Sequence, residues 1–175
     1  MIKIQVIMDS DSIHGLVRIE CDLNDDEWLN TPSTIDWHVL ALKTLTHTKW
    51  NRRCVISVLF TNDAHVQELN LTYRHKDKPT NVLSFPAYDD DLLRILPLSE
   101  EIPLGDIVFA FETIQHEALT QNKLFNHHLT HLFVHGLLHL LGYDHETDDE
   151  ATQMERLEIE ILAHFSIPNP YEVNE

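Results

Sequence analysis

Residues 135–145 read His135-Gly136-Leu137-Leu138-His139-Leu140-Leu141-Gly142-Tyr143-Asp144-His145. The first seven of them close a stretch, 124–141, whose apolar content predicts a helix. Two histidines four apart on a helix lie on one face, about one turn from each other. Both imidazoles can then meet a single ion at ~2.0–2.1 Å. Gly142 falls where a helix ends in the left-handed conformation, and a reversal there brings His145 in as a third ligand. Three ligands leave a fourth position for water, the pattern of a catalytic zinc site rather than a structural one. His131 cannot join His139 on one ion, since eight residues of helix separate them by roughly 12 Å. His127, His128 and His131 remain candidates for supporting or substrate-contacting roles. One zinc ion on His135, His139 and His145 is the expectation.

The spacing HxxxHxxGxxH is that of the metzincin proteases, with one departure. Those enzymes place a glutamate after the first histidine as general base, and here that position is Gly136. Peptide hydrolysis is hard to support without that carboxylate. A glycine inside a helix costs about 1 kcal/mol, so either another backbone or the substrate is expected to come close at Gly136.

Outward from this helix, strands come early and helices late. Residues 2–8 alternate as a strand, 9–15 turn at Gly15, and 16–20 return as its partner. Residues 34–48 read as a helix capped by Ser33 or Thr34, with Ile35, Val39, Leu42 and Leu45 on its apolar face. Residues 54–60 are a β-branched run suited to a central strand. Thr61 or Asn62 caps a helix bearing Val66, Leu69 and Tyr73. A turn at 78–81 leads into a strand from Val82 to Phe85, stopped by Pro86. Residues 87–103 read as loop and 105–110 as the last strand. Helices follow over 111–121 and 124–141, and another starts at Thr147, where Thr147 and Glu150 have capping-box spacing. Its face is Ala151, Met154, Leu157, Ile161 and Phe165. This order indicates an α+β fold: a small mixed β-sheet packed with helices, with the histidine helix in a zincin-like arrangement. The chain, 1–175, reads as one domain.

Twelve basic residues against 29 acidic ones give a net charge of −17, which by itself opposes binding to a polyanion. The distribution is uneven. Residues 43–78 hold seven basic residues (Lys43, Lys49, Arg52, Arg53, Arg74, Lys76, Lys78) against Asp63, Glu68 and Asp77. One basic patch on an otherwise acidic protein is therefore expected. No apolar run approaches the ~18 residues of a membrane span, and the N-terminus lacks a secretory h-region. The expectation is a cytoplasmic protein without membrane contact. Cys21 and Cys54 are read as buried small hydrophobes rather than a disulfide.

Three blocks resemble the YbeY family of bacterial endoribonucleases. One is the stretch His135 to His145. A second runs Leu69-Asn70-Leu71-Thr72-Tyr73-Arg74-His75-Lys76-Asp77-Lys78-Pro79-Thr80-Asn81-Val82-Leu83-Ser84-Phe85-Pro86. The third is Gly105-Asp106-Ile107-Val108 with Glu112-Thr113. They occur in the family's order over about residues 54–165. The resemblance implies an α+β fold with a sheet behind the metal-bearing helix and zinc-dependent, single-strand-specific RNA cleavage. It also implies a role at the 3′ end of small-subunit (16S) rRNA and in ribosome quality control, with the ribosome or its small subunit as partner. It marks Arg74 as essential. Asn81 stands where the family mostly has Asp, and His75 where it mostly has Gly.

Arg74 and His135 are accordingly the residues expected to carry catalysis. Arg74 would hold a phosphate through its planar donor fork and stabilise developing charge. Lys76 and Lys78 would add salt-sensitive attraction, and Tyr73, Phe85 or Tyr88 could stack an unpaired base. Asp144 could orient an imidazole or act as a base, with Ser84 a weaker candidate. RNA's own 2′-hydroxyl leaves transesterification open beside hydrolysis. Two other classes stay open: a non-enzymatic ribosome assembly factor with a structural zinc, and a zinc peptidase or amidohydrolase.

Overall fold

The structure is a computed structural model that describes the backbone of residues 2–6 and residues 16–31, 34–97 and 101–172. Its centre is a five-stranded mixed sheet in the order β1-β2-β3-β5-β4. The strands are β1 (Ile2–Val6), β2 (Val17–Leu23), β3 (Cys54–Thr61), β4 (Val82–Pro86) and β5 (Ile102–Ala110). The outer pairs β1–β2 and β4–β5 are antiparallel, while β2, β3 and β5 run parallel. The helices are α1 (Asp26–Asn30), α2 (Trp37–His47), α3 (Asp63–Arg74), α4 (Asp90–Ile95), α5 (Phe111–Thr120), α6 (Phe125–Leu140) and α7 (Asp148–Ala163). The α+β reading holds, and the chain from 16 onward does pair back on β1 as expected. The turn expected over 9–15 and the cap at Ser33 lie outside the described residues.

Alternation along the strands separates the two faces of the sheet. Ile19, Cys21, Ile56, Val58, Phe60, Ile107 and Phe109 point into the main core with Phe133, Leu137 and Leu138 of α6. Leu59, Leu83 and Val108 point the other way, onto Val66 of α3. The histidine helix and α3 therefore lie on opposite faces. An aromatic cluster at one end of the core joins Trp28, Trp37, Phe60, Phe109 and Phe133, and the Trp28 indole donates to the Thr61 carbonyl at 2.8 Å.

Three sequence expectations need correction. Helix α2 starts later than expected, because the Asp36 carboxylate accepts from the Val39 N–H at 3.0 Å and caps it. Thr34 and Ile35 precede it. Its buried face is His38, Leu40, Ala41, Thr44 and Leu45, while Val39 is 42% exposed. This face is buried because α2 packs against β2, α6 and α7 together. Residues 87–103 are not all loop: α4 forms at 90–95 and β5 begins at Ile102. Pro103 is tolerated because the β3–β5 register shifts at Val55/Ile56, leaving Leu104 as the extra residue of a bulge. Helix α1 lies in a stretch to which the sequence assigned no element, and the Asp25 carboxylate caps it by accepting from the Glu27 N–H at 2.9 Å. Lastly, what comes close at Gly136 is neither another backbone nor a substrate. A Cβ there would stand 3.1 Å from Ile107 Cγ2 and 3.1 Å from Ser84 Oγ, the side chains on which α6 is seated.

Candidate metal centre

Helix α6 ends as its sequence requires. Gly142 has φ 87°. The Tyr143 N–H donates to the Leu138 carbonyl at 3.0 Å and the Gly142 N–H to the His139 carbonyl at 3.1 Å, which is the Schellman pairing. Two residues past His145, Thr147 and Glu150 form the expected reciprocal capping box and start α7. The short segment between these fixed ends delivers His145 to the other two histidines.

The three imidazoles converge. One nitrogen from each of His135, His139 and His145 can be chosen so that all lie within 4.8 Å of one another. Ring centroids are 4.6 Å apart for His135–His139, 5.5 Å for His135–His145 and 5.0 Å for His139–His145. His135 Nε2 and His139 Nε2 are 3.1 Å apart, close to the roughly 3.3 Å edge of a tetrahedron whose centre is ~2.0–2.1 Å from each nitrogen. Burial, with the neighbouring His135 and His145 charges, pulls the His139 pKa down to about 4, so its ring is neutral and able to ligate at neutral pH. Donor type and geometry together fit one divalent ion.

Behind His135 lies a residue that the sequence reading missed. Glu158 of α7 is 0% exposed. Its Oε1 is 2.8 Å from His135 Nδ1 and its Oε2 is 3.0 Å from His131 Nε2. The Tyr171 hydroxyl donates to the same Oε2. Burial pushes this carboxyl up, but the hydrogen bonds and charges of His131 and His135 outweigh it and hold the pKa at about 2. A signal for it existed: Glu158 follows Leu157 and sits four residues from Met154, on the face otherwise lined by buried apolar residues. His131 thus turns its Nε2 onto Glu158, outside the three-histidine cluster. His128 pairs with Glu117 at 2.7 Å, and Glu117 also accepts from Asn81 at 2.9 Å. His127 is half-buried outside the cluster.

Asp144, expected either to orient an imidazole or to act as a base, lies beside His139. Its Oδ1 accepts from the His145 backbone N–H at 2.8 Å and lies 3.9 Å from His139 Nδ1. Arg74 ends α3 on the other face of the sheet, exposed and without an ion pair among the described residues. Asp77, one possible partner for it, accepts instead from Gln67 at 2.7 Å. His75 caps α3 in the left-handed region with φ 58°, which accounts physically for the glycine the resemblance predicts there. The Tyr73 ring meets Phe85 edge-on at 5.2 Å. Ser84 is buried and faces α6.

Fold and site define an α+β protein built around a candidate three-histidine metal centre. The family description "Endoribonuclease YbeY" matches residues 20–166. An Endoribonuclease YbeY of Bartonella quintana is 46% identical over 162 residues, covering 89% of this chain and 98% of that one. One of Acinetobacter baumannii is 51% identical over 130 residues, covering 74% and 81%. The solution structure of TM1509 from Thermotoga maritima superposes with a TM-score of 0.50 at 22% identity, over 89% of this chain and 99% of that one, a likeness of fold alone. The chain belongs to the YbeY endoribonuclease family, and so to the nucleases among the hydrolases. Among the described residues, no helix is long and apolar enough to cross a membrane.

Proposed function

We propose that this protein is a zinc-dependent endoribonuclease of single-stranded RNA, with His135, His139 and His145 as ligands of one zinc ion and His135 and Arg74 as residues essential to catalysis. The observation that carries this reading is the convergence of the three histidines within 4.8 Å. When bound, zinc supplies Lewis-acid polarisation of a phosphoryl oxygen and activates water near neutral pH. The protein's part is to hold the substrate and manage charge. Arg74 is exposed and makes no ion pair among the described residues, so its guanidinium can grip a phosphate in a bidentate way. Ser84 and Phe85 are consecutive on the edge strand β4, facing Gly136 and Tyr73 respectively. An RNA strand passing round that edge meets Arg74 on one face and the histidines on the other. The family's setting supports a cytoplasmic role in 16S rRNA 3′ maturation and ribosome quality control, with the small subunit as partner.

The site's packing speaks against a peptidase. Gly136 is seated on Ile107 and Ser84, so the position where metzincins carry their glutamate has no room for a base. The test is cleavage of a labelled single-stranded RNA at low salt by the zinc-loaded protein and by a folded His139→Ala variant. Cutting by the wild type alone supports the reading, and a 2′,3′-cyclic phosphate on the product would mark transesterification. Cutting by neither overturns it in favour of an assembly factor that binds without cleaving, and equal cutting by both removes the three-histidine centre from the chemistry.

A further inference from the structure

A carboxylate withdrawn from water costs several kcal/mol unless its oxygens are fully engaged. Glu158 occupies a position in α7 between Met154, Leu157 and Ile161 that a leucine would fill. Three donors meet it there: His135 Nδ1 on Oε1, and His131 Nε2 with the Tyr171 hydroxyl on Oε2. A neutral imidazole carries a single N–H. With an ionised carboxylate 2.8 Å from Nδ1, that proton stays on Nδ1 and the lone pair stays on Nε2. That Nε2 is the nitrogen 3.1 Å from His139 Nε2. His131 and Tyr171 occupy the second oxygen, so the carboxylate cannot turn away from His135. Tyr171 belongs to the segment after α7. Its ring meets His131 edge-on at 5.6 Å, and the Lys123 ammonium donates to the neighbouring Pro170 carbonyl at 2.8 Å.

Resting on the metal reading above, we infer that Glu158 is the positioning residue that fixes His135 in its Nε2-ligating form, and that Tyr171 completes this anchor, so that the C-terminal segment sets the affinity of the metal centre. Partners of this kind change metal affinity by about 10–100-fold when removed. Glu158→Gln keeps the shape but loses the charge that holds the proton on Nδ1. Tyr171→Phe removes one hydroxyl and leaves the ring.

The experiment measures zinc dissociation constants by competition with a chromophoric chelator for wild type, Glu158→Gln and Tyr171→Phe. Alongside it, ¹⁵N NMR of labelled histidines in the metal-free proteins reports which ring nitrogen is protonated. The expected result is zinc binding weakened about 10–100-fold in Glu158→Gln and by a smaller factor in Tyr171→Phe, with the Nδ1–H signature of His135 present in wild type and lost in Glu158→Gln. A purely structural role would lower the melting temperature of the metal-free variants while leaving the tautomer and the zinc affinity of the folded fraction unchanged, and that outcome overturns the inference with the metal centre intact. A wild type that binds no zinc overturns the metal reading and this inference together.

Discussion

Ser84 and Phe85 adjoin on the edge strand and serve opposite faces: Ser84 Oγ lies where a Cβ on Gly136 would come to 3.1 Å, and Phe85 meets the Tyr73 ring at 5.2 Å. This one strand separates the histidine helix from the helix that ends in Arg74. Arg74 can be removed without disturbing the packing, because it is exposed and makes no ion pair among the described residues. Arg74→Ala should leave stability within ~0.5 kcal/mol. It should abolish or sharply lower RNA cleavage and flatten the dependence of log affinity on log salt by about 0.7 for a single strand. Urea unfolding and binding titrations at several salt concentrations check this, and an unchanged slope would remove the phosphate contact from the account.

Gly136→Ala sets two effects against each other. Alanine adds about 1 kcal/mol of helix propensity, while overpacking against the buried Ser84 and Ile107 costs typically 1–3 kcal/mol. Both neighbours are locked in the core, so packing wins and the variant should be destabilised by about 1 kcal/mol. Gly136→Glu should fail to fold as a soluble protein. A urea midpoint for Gly136→Ala at or above that of wild type would sink this argument.

His75→Gly should act in the opposite direction. Holding an L-residue at φ 58° costs about 1–2 kcal/mol, and glycine gives back about 0.5–1 kcal/mol in backbone entropy. A gain near 0.5 kcal/mol is expected, read as a raised urea midpoint with an unchanged slope.

Acid should loosen the metal-free protein through Glu158. Its folded pKa of about 2 lies below the ordinary carboxylate value of 4.5. Its contribution is therefore fully present above pH ~4.5 and is lost as pH falls toward 2, about 3 kcal/mol in all. Unfolding free energies of wild type and Glu158→Gln across pH 2–5 should converge toward the acid end. Parallel curves would contradict the linkage.

Both thiols should be silent in the native protein. Burial lifts Cys21 to about 11 and Cys54 to about 12, so almost no thiolate exists at pH 8. Ellman's reagent should titrate neither until denaturant is added.

The sequence showed those features that depend on local rules. The His135–His139 spacing, the left-handed Gly142 and the Thr147–Glu150 box each follow from geometry within a few residues, and each is where the sequence put it. The features it hid depend on partners far along the chain. Val39 has the right period for the buried face of α2 but is turned outward, because the Asp36 cap and three neighbouring elements decide the helix's rotation. Pro103 read as loop because its bulge exists only against β3. Glu158 looked like one more acid in an acidic helix, since its three donors come from α6 and from Tyr171 in the segment after α7. Arg74 stood out only through the surrounding block of sequence, since nothing local distinguishes it from a solvated cation.

The capping box that starts α7 gives this arrangement a further meaning. It lies two residues past His145, and the helix it begins carries Glu158 eleven residues on. The segment from His145 through α7 thus carries both one of the proposed ligands and the group seated behind another. An isolated α6 peptide would own two histidines at the right spacing and neither of these additions. On the proposed metal reading, tight capture of an ion would require α6 and α7 to be docked.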